Sequence, residues 1–359
     1  MNRKNDKICI VSEFPPAIGG ISRQAHLIGK AIKKEGFRFY PVSIHFPFPK
    51  CIKYLDNVRM LRTIVRYIIL IPKFIINISK SEIVHIMSCS YLNFYLYTMV
   101  PAIIAKLLNR RLIIAYHGGE CEAFLKRDGK IVKLILELAE QITVPSQYLK
   151  HVFDEFCIDT VIVRNFIETE KIKFISRKSI KPKFIFARHL SKEYGYHVVI
   201  KSFSIIITHF PEATLLLAGG GKDQKDAVKL VSDLGLAKHV KFLGYISNDQ
   251  LMKHFEENDI FLNGSYVDNL PVSILEAFAS GLPVISTKAG GIPCIVIHEH
   301  TGLLVELGDY TAMAASAIGL LNNPELANCI ITNARAELKK YSKEIVIEEI
   351  LKIYFPTIF

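Results

Sequence analysis

The sequence predicts an α/β protein made of two doubly wound, Rossmann-like domains that face each other across a ligand cleft. Three observations predict it. Short apolar strand runs alternate with amphipathic helical stretches along almost the whole chain, the pattern of parallel sheets covered by helices. The chain has 359 residues, half of them apolar, enough for two domains with sizeable cores. The rhythm breaks once, at the basic stretch Arg177–Lys183, and then restarts. In open sheets of this kind the ligand lies beyond the carboxyl ends of the strands.

The elements follow in order. Lys7–Val11 reads as a strand, followed by a turn with Gly19 and Gly20 and a helix over Ile21–Lys34. Ile83–Ile86 and Leu112–Ala115 are further strands of the first domain. After the boundary come Phe184–Ala187, Thr214–Ala218, Val240–Phe242, Ile260–Leu262 and Val284–Thr287. The stretch from Ile86 to Ala105 carries no charge, but Ser88, Ser90, Asn93 and Pro101 favour a buried strand, loop and helix over a membrane span. No repeat or low-complexity linker is present.

Charge is distributed unevenly. The net charge is +11, and residues 1–175 hold 26 basic and 15 acidic side chains, so the whole excess lies there. An anionic partner for the first half is expected. Asn57–Lys80 contains Arg59, Arg62, Arg66, Lys73 and Lys80 and no acid, with apolar residues filling much of the rest. This reads as a basic amphipathic surface for anionic lipid headgroups rather than for nucleic acid, for which no recognition motif or basic–aromatic platform is present. Cys9, Cys51, Cys89, Cys121, Cys157, Cys294 and Cys329 form no C-x-x-C pair. They read as reduced thiols of a cytoplasmic protein with no zinc site. The start runs directly into the first strand, so no leader is expected.

Three strand–glycine–helix turns could hold phosphate: Gly19–Gly20, Gly219–Gly220–Gly221 and Gly290–Gly291. None fits G-x-G-x-x-G or a Walker A loop, which argues against a nicotinamide enzyme and a P-loop kinase. Any tight α/β turn uses the same residues. More specific is Asp268–Gly281, DNLPVSILEAFASG. Pro271 suits the first turn of a helix, Ile274, Leu275 and Phe278 give it an apolar face, and Gly281 with Pro283 ends it. Asp268 and Asn269 then stand just before a helix N-terminus, with Glu276 one and a half turns inside. A capping residue and a solvated glutamate would give the same pattern.

Asp268, seven residues, then Glu276-Ala277-Phe278-Ala279-Ser280-Gly281-Leu282-Pro283-Val284 resembles the central motif of glycosyltransferase family 4, retaining enzymes of the GT-B fold. Gly290-Gly291-Ile292-Pro293, Thr301–Val305, Ala218–Gly221 and Val240–Gly244 are similar to further family elements, as are Phe14-Pro15-Pro16 with Gly19-Gly20, His117–Glu120 and Val144-Pro145-Ser146. The resemblance implies domains at 1–176 and 177–340, with a last helix in 341–359 returning to the first. It implies a nucleotide-sugar donor, no cofactor, no metal, and a lipid-linked or glycan acceptor. Glu276 would bind the ribose and Asp268 would face the donor sugar. Arg188, with Lys192, would meet the diphosphate. Asn269, Leu270, Pro271 and Val272 would line sugar or phosphate, and Gly219, Gly220, Gly244, Tyr245 and Ile246 the nucleotide. Gly19 and Gly20 would approach the phosphates, and His117 the sugar and acceptor.

A helix start, an arginine and loop amides can stabilise a leaving diphosphate without a metal, and no D-x-D pair occurs in the chain. Two positions depart from the family pattern. Asp268 replaces the usual Glu, and Tyr194 stands where a phosphate-binding Lys is expected. Tyr194 leaves open a catalytically impaired sugar-nucleotide-binding partner subunit. A GT-B sugar-nucleotide epimerase is the other alternative.

Overall fold

The computed structural model describes residues 6–15, 19–46, 48, 59–177 and 179–356, with the side chains of 59 and 60 left aside. Pro16, Cys51, Asn57 and Lys178 lie outside the described residues, as does the side chain of Arg59. The chain divides into two compact units, Met1–Arg164 with Ile347–Phe359, and Asn165–Val346.

The first unit is built on a six-stranded sheet in the order β2-β1-β3-β4-β5-β6. Its strands are β1 (Lys7–Ser12), β2 (Arg38–Ser43), β3 (Ile83–Ser88), β4 (Arg111–Tyr116), β5 (Gln141–Val144) and β6 (Val161–Ile162). Every pairing is parallel. β1 and β3 are buried almost from end to end, as sheets covered on both faces require. Helices α1 (Gly20–Lys34), α2 (Arg59–Ser79), α3 (Leu92–Phe94), α4 (Val100–Leu107), α5 (Cys121–Leu136) and α6 (Gln147–Glu155) connect the strands. β2 escapes a sequence reading because Pro41 sits inside it; an edge strand tolerates the missing N–H. The uncharged stretch after β3 folds as α3, a π-helical turn at Tyr95–Met99, and α4. No described helix is long and apolar enough to cross a membrane.

The second unit repeats the plan with β7 (Lys183–Ala187), β8 (Thr214–Ala218), β9 (Val240–Gly244), β10 (Ile260–Asn263), β11 (Val284–Thr287) and β12 (Leu303–Val305). The order is β12-β11-β10-β7-β8-β9, again parallel throughout. Its helices are α7 (Tyr196–His209), α8 (Gln224–Asp233), α9 (Asn248–Glu257), α10 (Val272–Ala279), α11 (Tyr310–Asn322) and α12 (Pro324–Glu337), and α13 (Lys343–Tyr354) closes the chain.

The division falls about a dozen residues before the stretch read as a linker. Arg177 is the reason. Its buried guanidinium donates to the carbonyls of Phe255, Asn258, Ser280 and Gly281 and pairs with Asp259 at 3.0 Å. A residue that looked like part of a solvated basic run thus ties the entry segment into the second unit.

At the other end the chain returns to the first unit. Tyr354 is buried, its hydroxyl 2.5 Å from His85 Nδ1, and Arg111 donates to its carbonyl oxygen. The Phe37 and Phe355 rings stack with centroids 4.9 Å apart. Burial, reinforced by His117, holds His85 down at about 3, against 6.5 for a free imidazole. A ring kept neutral in the fold but protonated when unfolded favours unfolding only below the unfolded value. The contribution of this ring to stability should therefore be constant above about pH 6.5 and fall by about 1.4 kcal/mol per pH unit from there towards pH 3, and His117, held down at about 4 by burial, adds to the slope. Thermal melts across that window check this, and His85→Gln should flatten the slope.

Candidate functional site

In the second sheet, β7 and β10 are neighbours, but the chain leaves them in opposite directions, towards β8 and towards β11. This is a topological switch point, where open α/β sheets leave a crevice for a ligand. The two loops that open there are Arg188–Gly195, after β7, and Gly264–Pro271, after β10.

An ion pair joins the loops. Arg188 Nη2 donates to Asp268 Oδ2, with both side chains largely buried. The second carboxylate oxygen of Asp268 accepts the Asn269 N–H at 3.0 Å. Burial raises the Asp268 carboxyl above the ordinary carboxylate range, opposed by Arg188 and by the Asn269 amide. The guanidinium also lies over the Tyr194 ring, 4.4 Å from its centroid. Arg188 Nε is buried and has no hydrogen-bond partner. The site thus contains a fixed cation with one donor unused, a cost of about 1–3 kcal/mol unless a ligand acceptor meets it. Tyr194, where a lysine was expected, contributes an aromatic face that orients the arginine.

The glycines make this geometry possible by backbone contact. A Cβ on Gly219, whose φ is +131°, would lie 2.2 Å from the Arg188 carbonyl oxygen, and one on Gly221 2.3 Å from that of Leu190. A Cβ on Gly291 would lie 1.8 Å from the Asn269 carbonyl oxygen, and Gly291 N–H donates to the Asp268 carbonyl at 2.9 Å. Gly219–Gly221 and Gly290–Gly291, read as phosphate-capable turns, therefore act first by letting neighbouring loops close on Arg188 and Asp268.

Beyond Asp268 the chain enters α10. Pro271 is its N-cap with extended backbone, not its first helical residue, and no side chain caps the helix. Its leading amides keep their partial positive charge. Every residue of α10 is buried, including Glu276 at 3% exposure, which removes the reading of a solvated helix glutamate. Asn269 and Leu270 are buried beside it. The first turn holds a group the sequence reading missed: Ser273 Oγ is buried with no hydrogen-bond partner. Serine in a helix start carries no distinctive signal; only the burial identifies it.

At the β8–β9 side, Gly219 N–H donates to the Gly244 carbonyl at 2.8 Å. The exposed Tyr245 ring lies over Gly220, where a Cβ would sit 2.7 Å from it. His189 adds a second ring, 5.7 Å from Tyr245 and 6.1 Å from Tyr194. Ile246 follows, partly exposed. The Lys192 side chain is exposed, and its backbone N–H donates to Asp223 at 2.8 Å.

The remaining expected residues belong to the first unit. Gly19 caps α1 without a side-chain bond, and among the described residues nothing lies within 4 Å of a Cβ on Gly19 or Gly20. His117 follows β4, where burial lowers it to about 4. Among the described residues no group of acids, histidines and cysteines could hold a metal ion.

Residues 168–337 match the family described as Glycosyl transferases group 1. An N-acetyl-alpha-D-glucosaminyl L-malate synthase from Bacillus anthracis is 34% identical over 158 residues, 44% of this chain and 41% of that protein. A GDP-mannose-dependent alpha-(1-6)-phosphatidylinositol monomannoside mannosyltransferase from Mycolicibacterium smegmatis is 29% identical over 154 residues, 41% of this chain and 40% of that protein. The matches span less than half the length of these relatives. HepE of Anabaena, solved with UDP and glucose, superposes with a TM-score of 0.76 at 17% identity, covering 97% of this chain and 99% of its own. The fold is GT-B.

Proposed function

We propose that this chain is a retaining, metal-independent glycosyltransferase of family 4. It moves a hexose-type sugar from a nucleotide-diphosphate sugar to a lipid-linked or glycan acceptor in cell-surface polysaccharide or glycolipid synthesis, at an anionic membrane surface. The observation that carries the reading is the buried Arg188, with an unused Nε donor, locked to the loop that leads into an uncapped helix. Such a site suits a leaving diphosphate. The bond from the anomeric carbon to phosphate oxygen breaks, and the acceptor oxygen bonds to the same face of that carbon. The acceptor proton passes to the departing phosphate. Arg188 and the leading amides of α10 take the negative charge as it grows.

Glu276 binds the ribose, Asp268 faces the sugar and holds Arg188, and Tyr245 flanks the base. From the first unit, Gly19 and Gly20 approach the phosphates and His117 the sugar. The membrane contact runs through 57–80. The named relatives use a GDP-sugar in one case and bind UDP in another, so a donor panel comes first.

UDP-, GDP-, ADP- and dTDP-sugars are titrated against the purified chain while its thermal unfolding is followed. The matching donor at a hundred times its Kd should stabilise by about 2.7 kcal/mol. Glu276→Ala should weaken donor binding, because a buried polar contact is lost. No stabilisation by any donor, or equal stabilisation of the variant, counts against the assignment.

A further inference from the structure

Beside the Arg188–Asp268 ion pair, the two loops of the second unit's crevice are clasped at points that have no role in the reading above. Gly195, at φ +64°, and Gly264 meet backbone to backbone: a Cβ on Gly195 would lie 1.7 Å from the Gly264 carbonyl oxygen. Tyr266 N–H donates to the Glu193 carbonyl at 2.8 Å. The Tyr266 side chain reaches α7, where its hydroxyl lies 3.2 Å from His197 Nε2. The two rings stack, with centroids 5.6 Å apart and planes 13° apart. Tyr266 stands two residues before Asp268, so this contact fixes the loop close to the acid that holds Arg188.

His197 Nδ1 is buried and has no hydrogen-bond partner. A proton there would be a buried N–H with no acceptor, so the neutral ring carries its proton on Nε2 and donates it to the Tyr266 oxygen. The charged ring has a donor on both nitrogens. Burial opposes that form, as do Lys201 of the same helix and Lys192 of the Arg188–Gly195 loop, while Asp223, before α8, favours it; the balance holds His197 below the usual imidazole value of 6.5. α11 packs on α7 and brings Tyr310, whose ring lies under Lys201. A ring that takes a second proton must turn Nδ1 out to water and leave Tyr266. The clasp is therefore complete above pH 6.5 and is lost progressively below it.

We infer that His197 and Tyr266 are positioning residues: their stacked, hydrogen-bonded pair holds the Gly264–Pro271 loop against the Arg188–Gly195 loop, keeps Asp268 on Arg188, and gives turnover an acid limb. They act through Asp268 and Arg188 and are not catalytic residues. The inference rests on the proposed transfer only where turnover is the readout. The pH slope of unfolding reads the clasp without any donor.

The full chain is assayed for release of nucleoside diphosphate from UDP-, GDP-, ADP- and dTDP-glucose between about pH 5 and about pH 8, and its thermal unfolding is followed without donor over the same range. Wild-type kcat should fall severalfold below about pH 6.5. Tyr266→Phe and His197→Phe keep two stacked rings and lose the bond between them. Each should lower kcat about fivefold at about pH 8, with KM little changed. His197→Gln offers an N–H from close to the place of Nε2 and does not titrate. It should recover most of the rate lost in His197→Phe, and that rate should stay level into the acid range. Its melting temperature should fall less steeply below about pH 6.5 than the wild type's. An acid limb of wild-type depth in His197→Gln, wild-type kcat in Tyr266→Phe, or an unfolding slope unchanged by His197→Gln overturns the inference. No release from any of the four donors by the wild type counts against the transfer instead, and the unfolding slope then decides the clasp.

Discussion

Arg188→Ala should lower kcat by about two to three orders of magnitude, the usual consequence of removing one donor from a developing anion. Stability should fall too. The substitution strands Asp268, a buried carboxylate whose ion pair is gone, at a cost of about 3–5 kcal/mol. The two effects separate in the double variant Arg188→Ala/Asp268→Asn. Neutralising the stranded acid should recover most of the melting temperature and none of the turnover. Recovered turnover would mean that Arg188 supports the loop and does not act on the leaving group. Tyr194→Leu should move kcat in the same direction by less, since it removes only the face on which the guanidinium rests.

Arg177→Met should destabilise the second unit by about 3–5 kcal/mol, although Arg177 is far along the chain from every proposed site residue except those around Arg188. The arginine donates to five backbone carbonyls besides its bond to Asp259, and four of them, those of Phe255, Asn258, Ser280 and Gly281, lie at the ends of α9 and α10. Methionine fills much of the volume and supplies no donor, so buried carbonyls lose the arginine's hydrogen bonds. Chemical denaturation should show a lowered midpoint. A midpoint within experimental error of wild type would show that the network contributes little. Because Arg177 caps the end of α10 by donating to the carbonyls of Ser280 and Gly281, donor affinity should weaken alongside stability.

Much of the second unit was legible in the residues. Its strands are short, apolar and bounded by glycine, and the run from Asp268 to Val284 spells out a helix with its start and stop. The first unit was less legible. β2 carries a proline, and β6 is only two residues long. The basic, acid-free character of α2 could be read from its sequence, but not which of its apolar residues stay exposed. That depends on what packs beneath it.

The sequence by itself determined the alternation of strands and helices, the acid–helix–acid segment and the concentration of positive charge in the first half. These are local patterns, set by periodicity of two or 3.6 residues and by side-chain chemistry. Only the tertiary structure decided what those residues face. It paired Arg188 with Asp268, eighty residues apart, and laid the Tyr194 ring against the guanidinium. It brought two glycine turns into close backbone contact with neighbouring loops, buried Ser273 without a partner, and made Arg177 a buried tie. The physical reason is common to all of them. Desolvation and pairing depend on neighbours brought together by the sheet order, and that order is not a property of any local window of sequence.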